Sequence, residues 1–314
     1  MKTIVILTDG KAGHENQSKA LVRALGGEGK LVKVAFKSSF AKALSYLFSW
    51  LGIRSDVLFY VCPKCLSEVG DLKAIAAVVG TGSGTFYAAA VLARKWGVRC
   101  GVVLYPRGYN LKMFDCVIAP AFDRPKVASN VIEVPANLVA NDAAFYQAGV
   151  ESFAARYPVK EGVNAAAVII GGPNKCSTMT TAWMKAQLDR IFGERDAGQE
   201  LWVTTSRRTP AEVEGLVDSY DWNYKLLYSK DHYNPIPAFV KLARKLYVTA
   251  ESTGMLSESC TCGTAEVVAL DNLNAGGHKF RRFVESLIAG GYVNGAKKID
   301  LSAQITRAAK LLEL

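Results

Sequence analysis

Short apolar runs of three to six residues alternate with helical patterns along the whole chain, and that alternation leaves few folds open. The first series of strand-like runs reads Thr3–Leu7, Leu31–Ala35, Ala74–Val79, Arg99–Leu104, Cys116–Ala119 and Val131–Val134, with helices expected near 16–25, 39–51, 84–96 and 141–155. A second series then starts afresh with Ala165–Ile170, Leu201–Thr204, Lys225–Leu227, Lys245–Val248 and Glu266–Ala269. Its helices fit near 177–192, 210–219, 235–243, 254–262 and 277–289, and an amphipathic one closes the chain near 300–313. Strands joined through helices pair in parallel, so the expected class is α/β with doubly wound, Rossmann-like sheets. At 314 residues the chain exceeds the usual size of one domain. The polar stretch Tyr157–Gly162 is the expected linker, dividing a domain over 1–158 from one over 159–298, with a cleft between them.

Half of the residues are apolar, yet no run approaches the roughly 20 needed to span a bilayer. Polar Thr8-Asp9-Gly10 follows the first apolar run at once, which reads as a strand end and not as a signal peptide. A cytoplasmic protein, soluble or peripheral on the inner face of a membrane, is the expectation. The net charge of +10 points to an anionic partner. Basic runs with interleaved aromatics are missing, as are zinc-finger and RNA-recognition signatures, so nucleic acid is not expected. Seven cysteines form no secreted disulfide framework, and Cys62-Pro-Lys-Cys65 has no matching second pair. With three histidines in the chain, no metal site and no cofactor are expected.

Doubly wound sheets bind ligands at the carboxyl ends of their strands, so the loops after strands carry the search. The loop Thr8–Gln17 offers Asp9 and His14 for acid–base work, with Gly10 and Gly13 allowing close backbone approach. A solvated turn with Asn16 as N-cap reads the same residues structurally. Gly80-Thr-Gly-Ser-Gly84 lacks the P-loop lysine and the dinucleotide spacing, and suits a backbone turn in which Gly82 meets an acceptor. Arg107, at the end of the next strand, reads equally as an anion contact or as a surface residue.

In the second half, Gly171 and Gly172 let backbone crowd a ligand, and Lys175 adds charge beside them. Arg207 and Arg208 present two guanidinium groups suited to phosphate oxygens, while Thr209 and Pro210 read as N-cap and first helical residue. Asp231 to Pro235 bring His232. The stretch Lys245–Glu258 is a strand, a polar turn and a helix start near Gly254. Its amides with Ser252 and Thr253 make a phosphate-sized anion site, and Glu258, one turn on, can reach back for the hydroxyls of a ribose. An ordinary strand–turn–helix with Thr253 as N-cap is the plain alternative. Helix 39–51 is apolar on nearly every face and flanked by Lys37, Lys42 and Arg54. It reads either as a buried helix or as one lying on an anionic membrane.

Asp9-Gly-Lys-Ala-Gly-His-Glu-Asn-Gln17, Gly171-Gly172, Ser206-Arg-Arg-Thr209 and Thr249–Glu258 together resemble the mitochondrial-fission (elongated-mitochondria) family of plants and many bacteria. That family is similar in turn to glycosyltransferases of the two-Rossmann-domain (GT-B) type, which include lipid-linked cell-wall enzymes. The resemblance implies a nucleotide-sugar site in the second domain, with Gly171, Gly172, Arg207, Arg208, Ser252, Thr253 and Glu258 on the donor side. It implies an acceptor site in the first domain at Gly13 and His14, and a last helix, about 299–314, that packs back on that domain.

The function expected is metal-independent transfer of a sugar from a nucleotide-diphosphate donor to a glycan or lipid-linked acceptor of the envelope. His14 or Asp9 would take the acceptor proton. The rival expectations are a non-catalytic scaffold of this fold acting at a membrane, and a nucleotide-sugar epimerase.

Overall fold

The computed structural model describes residues 2–295 and 297–314. The chain forms two compact units, one of Met1–Ala140 with Asp300–Leu314 and one of Asn141–Ile299.

In the first unit the elements run β1 (Thr3–Thr8), α1 (Ala12–Ala24), β2 (Glu28–Phe36), α2 (Ser39–Trp50), β3 (Phe59–Val61), α3 (Pro63–Ser67), β4 (Ile75–Thr81), α4 (Phe86–Trp96), β5 (Arg99–Val103), β6 (Cys116–Pro120) and β7 (Val131–Val134). They build one sheet in the order β3-β2-β1-β4-β5-β6-β7. All of its neighbours are parallel except β2 and β3. The central strands are covered on both faces: Ile4 to Leu7 and Ala77 to Val79 are at most 1% exposed. That is why they read as continuous apolar runs instead of alternating ones. One face packs on α4, whose residues Phe86 to Ala93 are all buried. The other takes α1 and a last helix, α11 (Ser302–Leu312), with Ala308 and Leu312 buried against strands of this sheet.

The second unit runs α5 (Ala143–Arg156), β8 (Ala165–Ile169), α6 (Thr181–Gly193), β9 (Glu200–Thr204), α7 (Ala211–Asp218), β10 (Tyr224–Leu226), α8 (Ile236–Leu242), β11 (Lys245–Thr249), α9 (Thr253–Cys262), β12 (Glu266–Leu270) and α10 (Lys279–Ala289). Its sheet is wholly parallel in the order β10-β9-β8-β11-β12. In both sheets the strand order reverses beside the first strand, between β1 and β4 and between β8 and β11. These are the topological switch points at which doubly wound sheets take ligands. The class expected from the alternation, α/β with two Rossmann-like units, is the class found.

Several local expectations are corrected. The division falls before α5, at Ala140/Asn141, and not at 158. The cause is packing: Phe153 of α5 is fully buried among Trp202, Tyr224 and Phe239, and the Tyr157 hydroxyl donates to Glu200 Oε2 at 2.9 Å. Helix α1 begins at Ala12, four residues before its expected start, because the amides of His14 and Glu15 already bond the Lys11 carbonyl. Gly13 and His14 therefore sit in a first helical turn and not in a loop. Helix α6 begins at Thr181 and not at 177, since Thr180 accepts from the Trp183 amide and Ser177 is held in bridges to Asn174 and Leu273. Strand β3 and helix α3, of three and five residues, are too short to show a period.

Candidate functional site

Each unit gathers its polar strand-end residues at its own switch point. In the first, β1 runs out into Asp9, and α1 turns His14 back over it. His14 Nδ1 lies 3.1 Å from Asp9 Oδ1 and 3.2 Å from Oδ2. Burial raises the pKa of Asp9, but the His14 ring and Lys11, whose Nζ stands 3.3 Å from Oδ2, together hold it below the usual carboxylate range. An ionised carboxylate accepting from Nδ1–H fixes the tautomer in which Nε2 carries the lone pair. The arrangement is a histidine ring oriented by a carboxylate.

The neighbouring strand completes this corner. The loop after β4 passes directly beneath the pair, and Gly82 adopts a left-handed backbone at φ +82°. A Cβ built there would run into the His14 ring. One on Gly84 would stand 2.8 Å from Asp9 Oδ2. Glycine is thus required for this loop to lie against both side chains. Ser18 of α1 and Thr81 at the end of β4 share a buried hydrogen bond of 2.7 Å, which fixes the two elements to each other. Glu15 accepts from Thr8 Oγ1 at 2.7 Å. Gly13 is exposed, with open space where a side chain would stand.

In the second unit the loop after β8 lies against the loops after β9 and β11. The Gly171 amide donates to Thr249 Oγ1 at 2.9 Å, and the Gly172 amide to Glu251 Oε1 at 2.7 Å. Thr249 Oγ1 also donates to Glu251 Oε1 at 3.0 Å. Glu251, 2% exposed, thus turns its carboxylate into the β8 loop, and both glycine amides are engaged within the protein. Glu251 Oε2 is buried with no partner among the described residues. The space over Gly172 is taken by the backbone of Arg208. The crowding that the glycine pair permits is therefore crowding by the protein's own chain.

Thr209 does not cap α7. Its hydroxyl donates to the Gly171 carbonyl at 2.6 Å and accepts from the Ser206 amide at 2.9 Å, while Pro210 takes the cap position. Arg208 Nη1 donates to the Gly172 carbonyl at 2.9 Å, and Arg207 is exposed.

Helix α9 starts at Thr253, with Ser252 at the N-cap. The Ser252 side chain makes no capping bond, and Gly254 is exposed with open space over its Cα. First-turn amides left without a side-chain cap are available to an anion. One turn along, Glu258 Oε1 accepts from the Tyr146 hydroxyl of α5 at 2.7 Å, and the Asn141 side chain nearby also favours the ionised carboxyl. Burial raises the pKa of Glu258 in spite of these two neighbours, and raises that of Tyr146 too.

Of the remaining expected residues, Lys175 is exposed in the β8 loop. His232 lies against the Tyr228 ring beyond the edge strand β10, two strands out from β8, with ring centroids 4.6 Å apart and the planes tilted. Ser206 and Thr249 lie inside motifs the sequence singles out but carry no role there, and Tyr146 is not singled out at all. The first two are strand-end polar residues of the kind the search was already collecting. No local signal ties Tyr146 to a residue 112 positions away. Among the described residues no group of three or more histidine, cysteine or acidic side chains is placed to hold a metal ion.

The burial of Glu258 has a measurable consequence. The folded state holds this proton more tightly than the unfolded chain, whose carboxyl ionises near 4.5. Stability contributed by the protonated form is complete below that value and is lost as pH rises toward the folded pKa. Glu258→Gln keeps an acceptor for Tyr146 and cannot ionise. Its melting temperature, minus that of the wild type, should become more positive from pH 4 to pH 8. A difference independent of pH would contradict the burial argument.

A family model described as mitochondrial fission ELM1 matches residues 12–311. The chain belongs to the mitochondrial fission ELM1 family. The matched segment includes His14, the Arg207–Arg208 loop and α9, and stops short only of the first eleven and last three residues. No curated protein matches the sequence. Among solved structures, this family member is similar to the UDP-GlcNAc 2-epimerase of Methanocaldococcus jannaschii, at 14% identity over 99% of each chain and a TM-score of 0.53. It is also similar to the UDP-GlcNAc 2-epimerase of Neisseria meningitidis bound to UDP-GlcNAc, at 13% identity over 100% of this chain and 98% of that one, with a TM-score of 0.50. At such identities the likeness speaks to the fold alone, which is GT-B-like.

Proposed function

We propose that this protein is a glycosyltransferase that moves a sugar from a nucleoside-diphosphate donor to a hydroxyl acceptor. The observation that carries the reading is the Asp9–His14 pair at the switch point of the first sheet. A histidine held in one tautomer by a carboxylate removes a hydroxyl proton as the hydroxyl attacks, and the first unit supplies that base. The acceptor in this reading is a glycan or lipid-linked hydroxyl.

The second unit takes the donor. Because the amides of Gly171 and Gly172 are engaged internally, the diphosphate falls to the first-turn amides of α9 around Ser252, Thr253 and Gly254, and to Arg207 and the free N–H groups of Arg208. Positive groups set beforehand around the departing diphosphate stabilise the charge that builds as the glycosidic bond breaks. Glu258 serves the ribose, steadied by Tyr146.

The test is calorimetric titration with uridine, adenosine and guanosine diphosphates. One of them should bind, and Arg207→Ala with Arg208→Ala should weaken it by tenfold or more, since hydrogen bonds to charged groups are worth about 1.5–3 kcal/mol each. Equal affinity in the double variant would remove the arginines from the site. If none of the three binds the wild type, the scaffold reading takes over.

A further inference from the structure

Helix α2 packs the wrong way round for a helix of its composition. The face turned to the core is made of Ala41, Ser45 and Ser49, all buried. Its two serines are bonded inward: Ser45 shares a 2.9 Å hydrogen bond with the Tyr109 hydroxyl, and Ser49 Oγ accepts from the Asn110 amide at 3.0 Å. Leu44 and Phe48 are half-buried against the same core. The large apolar residues on the opposite side stand in solvent. Phe40 is 76% exposed, Leu47 54%, Trp50 63% and Leu51 63%.

Phe40, Leu47 and the C-cap residue Leu51 fall seven and four apart and share one stripe, with Trp50 at its edge, along about 17 Å. The Trp50 indole N–H is satisfied by the Gly108 carbonyl at 2.9 Å, which holds its ring outward as a purely apolar surface. Val57 and Tyr60, in the segment that follows, are also more than half exposed. A contiguous exposed apolar face on a soluble fold marks a binding surface.

Charge says what the face meets. From Lys30 to Lys64 the chain carries six basic residues and one acid, Asp56, which is paired with Lys95 at 2.7 Å. Lys37 precedes the stripe and stands over the Tyr60 ring at 5.2 Å, and Arg54 follows it; both are exposed. A second copy of this chain would bring a like-charged rim against this one. An anionic bilayer surface satisfies the apolar stripe and the basic rim together. Among the described residues no helix is long and apolar enough to cross a membrane. We infer that α2 is a monotopic membrane anchor that lays Phe40, Leu47, Trp50 and Leu51 into the interface of an anionic lipid surface, with Lys37 and Arg54 at the headgroups. The inference is independent of the chemistry proposed above.

The test is sedimentation of the full chain with vesicles of phosphatidylcholine, with and without phosphatidylglycerol. The wild type should sediment with the anionic vesicles only, and less so as salt is raised. Phe40→Asp with Leu47→Asp should reduce the bound fraction at least tenfold with an unchanged melting temperature, as both side chains are mostly exposed. Lys37→Glu with Arg54→Glu, which leaves the stripe intact, should weaken binding by about fivefold or more per residue. Wild type that ignores anionic vesicles, or binds neutral ones equally, overturns the inference. So does a wild-type dimer that the aspartate pair splits into monomers, which would assign the face to a second copy.

Discussion

His14→Ala should lower the rate of sugar transfer by about 10²–10⁴-fold, the range that a positioned general base contributes. Donor affinity should stay within about twofold of the wild type, because loss of transition-state stabilisation alone leaves ground-state binding intact. Asp9→Asn should follow His14→Ala in direction, since an amide facing Nδ1 no longer fixes the tautomer or stabilises the protonated ring. Gly82→Ala tests the same corner with both partners' side chains unaltered in chemistry. Its methyl group would displace the His14 ring, and a φ of +82° strains any residue with a Cβ. Transfer kinetics under single-turnover conditions check all three. A His14→Ala enzyme with wild-type turnover would remove this pair from the chemistry.

Gly172→Ala should be the most destabilising small substitution in the second unit. The added methyl meets the backbone of Arg208, which cannot rotate aside as a side chain would. Relief requires parting the β8 and β9 loops, and with them the bonds from Thr209 to Gly171, from Gly172 to Glu251 and from Arg208 to Gly172. Overpacking of this kind costs about 3 kcal/mol. For a unit of this size that is a fall in melting temperature on the order of 10 °C. Gly254→Ala is the matched control, with nothing near its Cα and a position inside a helix. It should melt at or slightly above the wild-type temperature, as alanine is the better helix former. Calorimetry on the two variants checks the pair, and equal melting temperatures would mean that the β8 and β9 loops separate freely.

The fold was legible because buried parallel strands leave short unbroken apolar runs, such as Ile4–Leu7, that are bounded at once by turn residues and alternate with longer helical patterns. The loops at both switch points were legible for a related reason: Asp9, Arg207 and Arg208 are polar residues set just past strand ends, and His14 follows in the first turn of the next helix. What the sequence hid was which partner each residue chose. Glycines 171 and 172 read as room for a ligand, yet their neighbours are Glu251 and Arg208, brought in by strands that follow much later. Glu258 read as free to reach a ribose, and the residue that holds it, Tyr146, comes from a helix placed across the expected domain boundary. Helix α2 looked apolar on nearly every face; the hydrogen bonds that Ser45 shares with Tyr109 and that Ser49 accepts from the Asn110 amide, invisible in a helical pattern, decided which side turned inward.

Sugar transfer by the wild-type protein is decided by product analysis. The protein would be incubated with UDP-GlcNAc and other nucleotide sugars, with a membrane lipid extract as acceptor, and the products separated by mass spectrometry. A transferase should yield free nucleoside diphosphate in equal amount to a glycosylated acceptor, with any remaining donor unchanged in configuration. An intact nucleotide sugar epimerised at the sugar ring, with no diphosphate released, would contradict it.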